Sequence, residues 1–178
     1  DIQRGETALL KGHELKSGAI GVLASIGCSQ VPVHRRPVVA VMPTGDEIIE
    51  VTDPISPGKV RNSHAWALEA LVHQHGGIPR RWTIVPDDIS AMQDNLRTAA
   101  DMADLILTIG GVSMGDYDLV KNVVGSYGPV DFWQIAMRPG KPLVFGHVEG
   151  TPILGLPGNP VSGLVVFEQF GRPAVRKM

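Results

Sequence analysis

Nine consecutive residues of this 178-residue chain combine three glycines, a serine and two carboxylates: Gly110-Gly111-Val112-Ser113-Met114-Gly115-Asp116-Tyr117-Asp118. They follow the apolar run Leu105-Ile106-Leu107-Thr108-Ile109 and lead into a helical pattern. Such a junction brings the bare N–H groups of Gly110, Gly111 and Gly115, with the Ser113 hydroxyl, against an anion. Other apolar runs end in polar residues too. Pro43-Thr44-Gly45-Asp46-Glu47 and Pro86-Asp87-Asp88 carry acids, Arg138-Pro139-Gly140-Lys141-Pro142 carries cations, and Gly155-Leu156-Pro157-Gly158-Asn159-Pro160 carries glycines and a free amide.

In open α/β sheets the ligand crevice lies beyond the carboxyl ends of the strands. If these segments converge there, one side of the crevice suits a hard divalent cation and the other an oxyanion. Mg²⁺ takes only one or two carboxylates beside substrate phosphates, so six acids exceed what ligation needs. Asp88 and Asp118 each precede a helical run, where an N-cap contributes about 1 kcal/mol. Asp46-Glu47 has less structural excuse, because a turn needs one Asx residue and gains nothing from a second acid. A charge-assisted contact from Arg138 or Lys141 to an oxyanion is worth roughly 1.5–3 kcal/mol. Asn159 reads as an N-cap with Pro160 at the first helical position, while Gly155 and Gly158 point to close backbone approach.

The elements that must hold these residues alternate. Strands are expected at 38–42, 81–85, 105–109, 130–137, 143–147 and 152–156, and helices at 63–75, 89–102, 119–126 and from 160 to about 172. This alternation means a three-layer α/β fold, a mostly parallel sheet with helices on both faces. Residues 1–34 read differently: glycines punctuate short apolar pieces, as in an entry segment with one short helix. The expected organisation is a tail of preceding domains over 1–34 and one domain over 35–178.

Composition narrows the functional classes. With 43% hydrophobic and 19% charged residues the chain can bury a real core. A net charge of −2 and only 5% aromatic residues leave neither a basic surface nor stacking platforms for nucleic acid. No apolar stretch approaches the ~20 residues that cross a bilayer, and no signal-peptide pattern occurs, so a soluble cytoplasmic protein is expected. The single cysteine, Cys28, is expected as a small buried apolar residue. His73 and His75, two apart on a helix, face different ways and make no metal pair. A P-loop is absent, and Ser113 sits in a phosphate-cradle setting, not a nucleophile elbow. The start at Asp1, without methionine, points to a piece of something longer.

In this order the strings Pro43-Thr44-Gly45-Asp46-Glu47-Ile48, Gly110 through Asp118, Arg138-Pro139-Gly140-Lys141-Pro142 and Gly155-Leu156-Pro157-Gly158-Asn159-Pro160-Val161-Ser162 resemble the central domain of the MoeA/gephyrin family, the molybdopterin molybdenumtransferases. The resemblance covers nearly the whole chain and makes residues 35–178 a molybdopterin-binding domain. It implies transfer of molybdate onto the dithiolene of adenylylated molybdopterin, with Mg²⁺-dependent release of AMP.

By the same resemblance Glu47, Asp87 and Asp118 are the catalytic carboxylates, and Asp46, Glu47 and Asp118 the metal-side acids. Thr44, Gly45, Gly110, Gly111, Ser113 and Gly115 would meet phosphate or pterin. Arg138 and Lys141 would lie near molybdate or the pyrophosphate, and Pro157, Gly158, Asn159 and Pro160 would shape the pterin pocket. A homodimer in the full-length protein and contact with the adenylyltransferase that supplies the substrate are also implied. Two residues depart from the pattern: Arg138 stands where many members have lysine, and His64 where asparagine is common. The alternatives are a molybdopterin adenylyltransferase of the same fold and a non-catalytic pterin-binding scaffold. The double acid Asp46-Glu47 and the residues 156–160 favour the transferase.

Overall fold

A computed structural model describes residues 2–112 and 118–178. The chain divides into two compact units, Asp1–Arg35 and Arg36–Met178. The first carries one helix, α1 (Ser17–Ser25), and its Cys28 is half-buried, with Sγ 3.4 Å from the Gln30 carbonyl. The expectation of a buried Cys28 therefore does not hold: a short helix with one buried residue, Ala19, has no core to place it in.

The second unit is built from β1 (Val38–Pro43), β2 (Ile48–Ile49), β3 (Val60–Arg61), α2 (Ser63–Gln74), β4 (Ile78–Arg81), α3 (Ile89–Met102), β5 (Leu105–Ile109), α4 (Leu119–Tyr127), β6 (Phe132–Gln134), β7 (Pro142–Val148), β8 (Thr151–Leu156) and α5 (Pro160–Val166). A π-helical turn, Phe167–Gly171, carries α5 into α6 (Arg172–Lys177). Six strands form one sheet in the order β4-β1-β5-β8-β7-β6. The first four are parallel, and β7 and β6 each run antiparallel to the preceding neighbour.

Side chains alternate across a strand, so each buried strand feeds two cores. From β1, Val39 and Val41 join Leu68, Val72, Phe167 and Val175 on the face covered by α2 and the C-terminal helices. Ala40 and Met42 join Met92, Leu96, Val120 and Val124 on the face covered by α3 and α4. This is why β1 and β5 read as unbroken apolar runs: a parallel strand inside a three-layer sandwich has no solvent side.

Three boundaries differ from expectation. β4 starts at Ile78, three residues before the expected strand, and pairs Val38 to Ile78 through Val41 to Arg81. Pro79 is tolerated there because β4 is an edge strand, where a missing N–H breaks no ladder. β6 spans three residues and not the expected 130–137, because the register shifts between Phe132 and Gln134 and the chain then turns, with Ile135 N–H on the Lys141 carbonyl. The last helix continues past 172 to Lys177, and Pro173 follows directly on the π turn, where the hydrogen-bond register is already changing. The two-residue strands β2 and β3, paired in parallel, were not expected.

Candidate functional site

Every parallel strand ends at the same side of the sheet, and hydrogen bonds tie the loops there to one another. Thr44 is buried, and both its N–H and its hydroxyl donate to the Ile109 carbonyl, at 2.9 and 3.1 Å. Gly110 N–H donates to the Leu156 carbonyl at 3.0 Å, and Gly45 N–H to the Val85 carbonyl at 3.1 Å. The loops after β1, β4, β5 and β8 are therefore one connected surface.

The glycines there are demanded by space. A Cβ on Gly110, whose φ is 89°, would lie 2.8 Å from the Thr44 carbonyl oxygen. On Gly111 (φ 64°) it would lie 2.8 Å from Val120 Cγ2 and 3.2 Å from Thr44 Oγ1. A Cβ on Gly158 would touch Gly110 Cα at 3.4 Å. Gly110 and Gly111 thus have no room for side chains, and Gly158 lies in van der Waals contact with Gly110; the Gly110 N–H, expected to face an anion, is instead spent on the Leu156 carbonyl. Ser113 and Gly115, with Asp116, lie outside the described residues.

The acids gather at one end of this row. Asp46 and Glu47 are exposed after β1, and Asp87 and Asp88 after β4. The Asp46 carboxylate accepts the Asp87 N–H at 3.2 Å, and Lys59 Nζ pins the Asp46 carbonyl at 2.6 Å. The Glu47 carboxylate folds back over Gly45, which has φ 132°. Burial raises the Asp87 pKa above the usual carboxylate value, opposed by a backbone hydrogen bond at Asp46 and reinforced by the charges of Asp46 and Glu47. Mutual repulsion of this kind is relieved by a cation.

Asp88 and Asp118 behave as N-caps: Ala91 N–H donates to Asp88 at 2.8 Å, and Lys121 N–H to Asp118 at 2.9 Å. Asp118 is only 2% exposed, so one oxygen of a buried carboxylate is committed to α4. No group of three acid, histidine or cysteine side chains among the described residues is close enough to cage a metal. The neighbouring Asp46, Glu47 and Asp87 instead fit a hydrated Mg²⁺ completed by substrate oxygens, which needs one or two carboxylates.

Cations stand at the other end. Arg138 and Lys141 are exposed on the loop between β6 and β7, and neither side chain has an ion-pair or hydrogen-bond partner among the described residues. Gly140 (φ 103°) packs this loop onto α5, where a Cβ would press on Val166 Cγ2 and Met137 Cε. Beside it, Asn159 caps α5 by accepting from Ser162 N–H at 3.2 Å, Pro160 takes the first helical position, and Pro157 is buried. From β1 to β7 is three strand spacings, or about 14 Å. The row therefore runs from carboxylates at one end to two cations at the other.

His64 is a residue the sequence did not mark as functional. It is 5% exposed in the first turn of α2, and neither ring nitrogen has a hydrogen-bond partner. Burial lowers its pKa to about 4, against a smaller upward pull from the Gly158 backbone. Lys59 was also missed, because strands as short as β2 and β3 leave no periodic signal. At the amino-terminal side of β5 and β8, an apolar groove of about 360 Å³ is lined by Leu105, Phe132, Phe145, Pro152, Phe170 and neighbours. It carries none of this chemistry.

A mostly parallel sheet, helices on both faces, with loops at one end that are acidic, glycine-rich and basic in succession, is the architecture of a three-layer α/β domain with its polar residues gathered on one side. The family described as "Probable molybdopterin binding domain" matches residues 40–177, and the chain belongs to it. Its relatives act in molybdenum cofactor biosynthesis. It is 40% identical to a molybdopterin molybdenumtransferase of Nostoc over 99% of the chain and 41% of that protein, and 36% identical to that of Haemophilus influenzae over 100% and 44%. The chain thus spans about two fifths of the length of these relatives. A molybdopterin biosynthesis MoeA protein of Pyrococcus horikoshii superposes with a TM-score of 0.83 at 30% identity, over 94% of this chain and 41% of that one. The Thermus thermophilus MoaB structure, at 19% identity and a TM-score of 0.56, shares the fold.

Proposed function

We propose that the chain is the substrate-binding core of a molybdopterin molybdenumtransferase, acting on adenylylated molybdopterin and molybdate with release of AMP. The observation that carries this reading is the single connected row of loops, with Asp46, Glu47 and Asp87 at one end and Arg138 and Lys141 at the other. Molybdate must approach a pterin that already bears phosphates, and the two cations offset that repulsion. The backbone at Gly111 and Gly158 lines the middle of the row, where the phosphates pass, while the Gly45 and Gly110 N–H groups are spent on the Val85 and Leu156 carbonyls. Pro157 and Pro160 hold the turn against which the pterin lies, and Asn159 fixes its entry into α5.

One or two of Asp46, Glu47 and Asp87 would hold Mg²⁺, which would supply charge neutralisation at the phosphoanhydride when bound. The Asp87 N–H on the Asp46 carboxylate supports this assignment, and the Asp87 pKa, raised by burial and then by the charges of Asp46 and Glu47, is one that a cation would lower. Asp118 anchors α4 and holds negative charge beside the glycine loop. The homodimer and the hand-over of substrate from an adenylyltransferase belong to the same reading of the full-length protein.

The test is AMP release from adenylylated molybdopterin with molybdate and Mg²⁺. The chain is expected to bind the pterin yet release AMP far more slowly than a full-length relative. Glu47→Ala is expected to abolish AMP release while molybdopterin binding persists. Unchanged release by Glu47→Ala would contradict the role given to the acids.

A further inference from the structure

The part of the site with no assigned role is the imidazole of His64. Its ring occupies the space a side chain on Gly163 would need, since a Cβ there would collide with Cε1 and Nε2. That same point is 3.0 Å from the Pro157 carbonyl oxygen, so the ring and this carbonyl both border the space beside Gly163. A backbone group that favours the protonated ring is an acceptor, which brings the Gly158 carbonyl to the ring as well. Yet neither nitrogen makes a well-formed hydrogen bond, and both are shut off from solvent. Buried polar atoms without partners are uncommon enough to need a reason, and an apolar side chain would fill this space without leaving any.

We propose that His64 is a positioning residue, whose ring N–H pairs with a carbonyl of the Pro157-Gly158 turn when that turn closes on the substrate. The inference rests on the functional reading above and deepens it. The neutral ring has one donor, and the turn offers two carbonyls but no side chain that could serve instead. Closure of the turn exchanges an unsatisfied contact for a hydrogen bond, so the orphaned nitrogen biases the turn toward its ligand-bound position. The cost is borne by the free protein. Gly163 is what lets the ring approach, and Asn159, which anchors Ser162 and Gly163 N–H groups at 3.2 and 2.9 Å, transmits the turn's position to α5.

The experiment compares His64→Phe, which keeps a ring without a donor, with His64→Asn, which keeps a neutral N–H donor. The readouts are the thermal midpoint of the free protein, the Kd for molybdopterin, and amide hydrogen exchange at Gly158, Ser162 and Gly163 in the molybdopterin-bound protein. The Phe variant is expected to melt at or above the wild-type temperature, bind about tenfold more weakly and exchange severalfold faster at these amides when bound. The Asn variant is expected to regain most of the affinity and protection, even if it melts lower. Wild-type affinity and exchange in the Phe variant, or an Asn variant no better than Phe, would overturn the proposal. If the wild-type chain fails to bind molybdopterin, the functional reading falls. The thermal midpoint then decides this inference alone: a Phe variant at least as stable as wild type sustains it, and one that melts well below wild type overturns it, because the ring would already be paired in the free protein.

Discussion

The Asp87 backbone N–H donates to Asp46 Oδ1 at 3.2 Å, joining residues 41 positions apart across the ends of β1 and β4. The bond holds two carboxylates beside each other, where burial first and then the charges of Asp46 and Glu47 raise the Asp87 pKa. Asp46→Asn keeps the acceptor and removes the charge. The Asp87 titration midpoint, followed by carboxyl ¹³C shifts, is expected to move down toward the ordinary carboxylate value, without reaching it while burial and Glu47 act. An unmoved midpoint would show that the Asp46 charge plays no part in setting it.

Adding Mg²⁺ to the wild-type chain at millimolar concentration is expected to lower the same midpoint, since a cation favours the ionised acid. The shift should be absent in the Asp46→Asn, Glu47→Gln double variant. A midpoint indifferent to Mg²⁺ would remove these acids from the metal site.

Asp118 invites a separation of two roles. Asparagine caps helices about as well as aspartate, whereas alanine loses roughly 1 kcal/mol. Asp118→Asn is expected to unfold in urea at nearly the wild-type midpoint, with Asp118→Ala lower by 1 to 2 kcal/mol at this buried site, about the upper end for caps. Loss of AMP release in the Asn variant at unchanged stability would then report the charge, and full release would reduce Asp118 to a cap.

His64 gives a pH dependence with a definite sign. Its ring takes a proton near pH 6.5 when unfolded and only near pH 4 when folded. Between these values the unfolded chain binds more protons, so stability falls as pH drops from about 6.5 to about 4 and levels off below. The full effect is about 3 kcal/mol. Urea unfolding at pH 7, 5.5 and 4 should show this component in wild type and not in His64→Phe. The same slope in both would deny the ring its lowered pKa.

What was legible in the sequence followed how each signal arises. The strands at 38–43 and 105–109 were readable because burial on both faces makes every residue apolar, and the caps Asp88, Asp118 and Asn159 because a cap is local chemistry. β4 was misplaced since Pro79 reads as a strand breaker until its position at the sheet edge is known. The census of loop charges foresaw the order of acids, glycines and cations, because strand ends are marked in sequence. His64 was not legible: its unpaired state depends on Gly163 and Gly158, about a hundred residues away, and only tertiary contact brings them together.

Gly110→Ala tests the close approach of the loops. With φ at 89° and a Cβ 2.8 Å from the Thr44 carbonyl, the methyl forces the backbone to shift, at about 1–3 kcal/mol of stability. Calorimetry should record a lowered Tm, and molybdopterin affinity should fall with it. A variant as stable as wild type would mean that the loop has room to spare.

The central claim, that the carboxyl-end loops of this sheet hold a molybdopterin, is tested most directly by following backbone amide shifts while the chain is titrated with molybdopterin. The largest changes are expected at Gly45, Gly110, Gly111, Gly158 and Lys141, with Phe145 and Phe170 at the apolar groove unmoved. Changes centred on the groove, or none at concentrations that saturate a full-length relative, would contradict it.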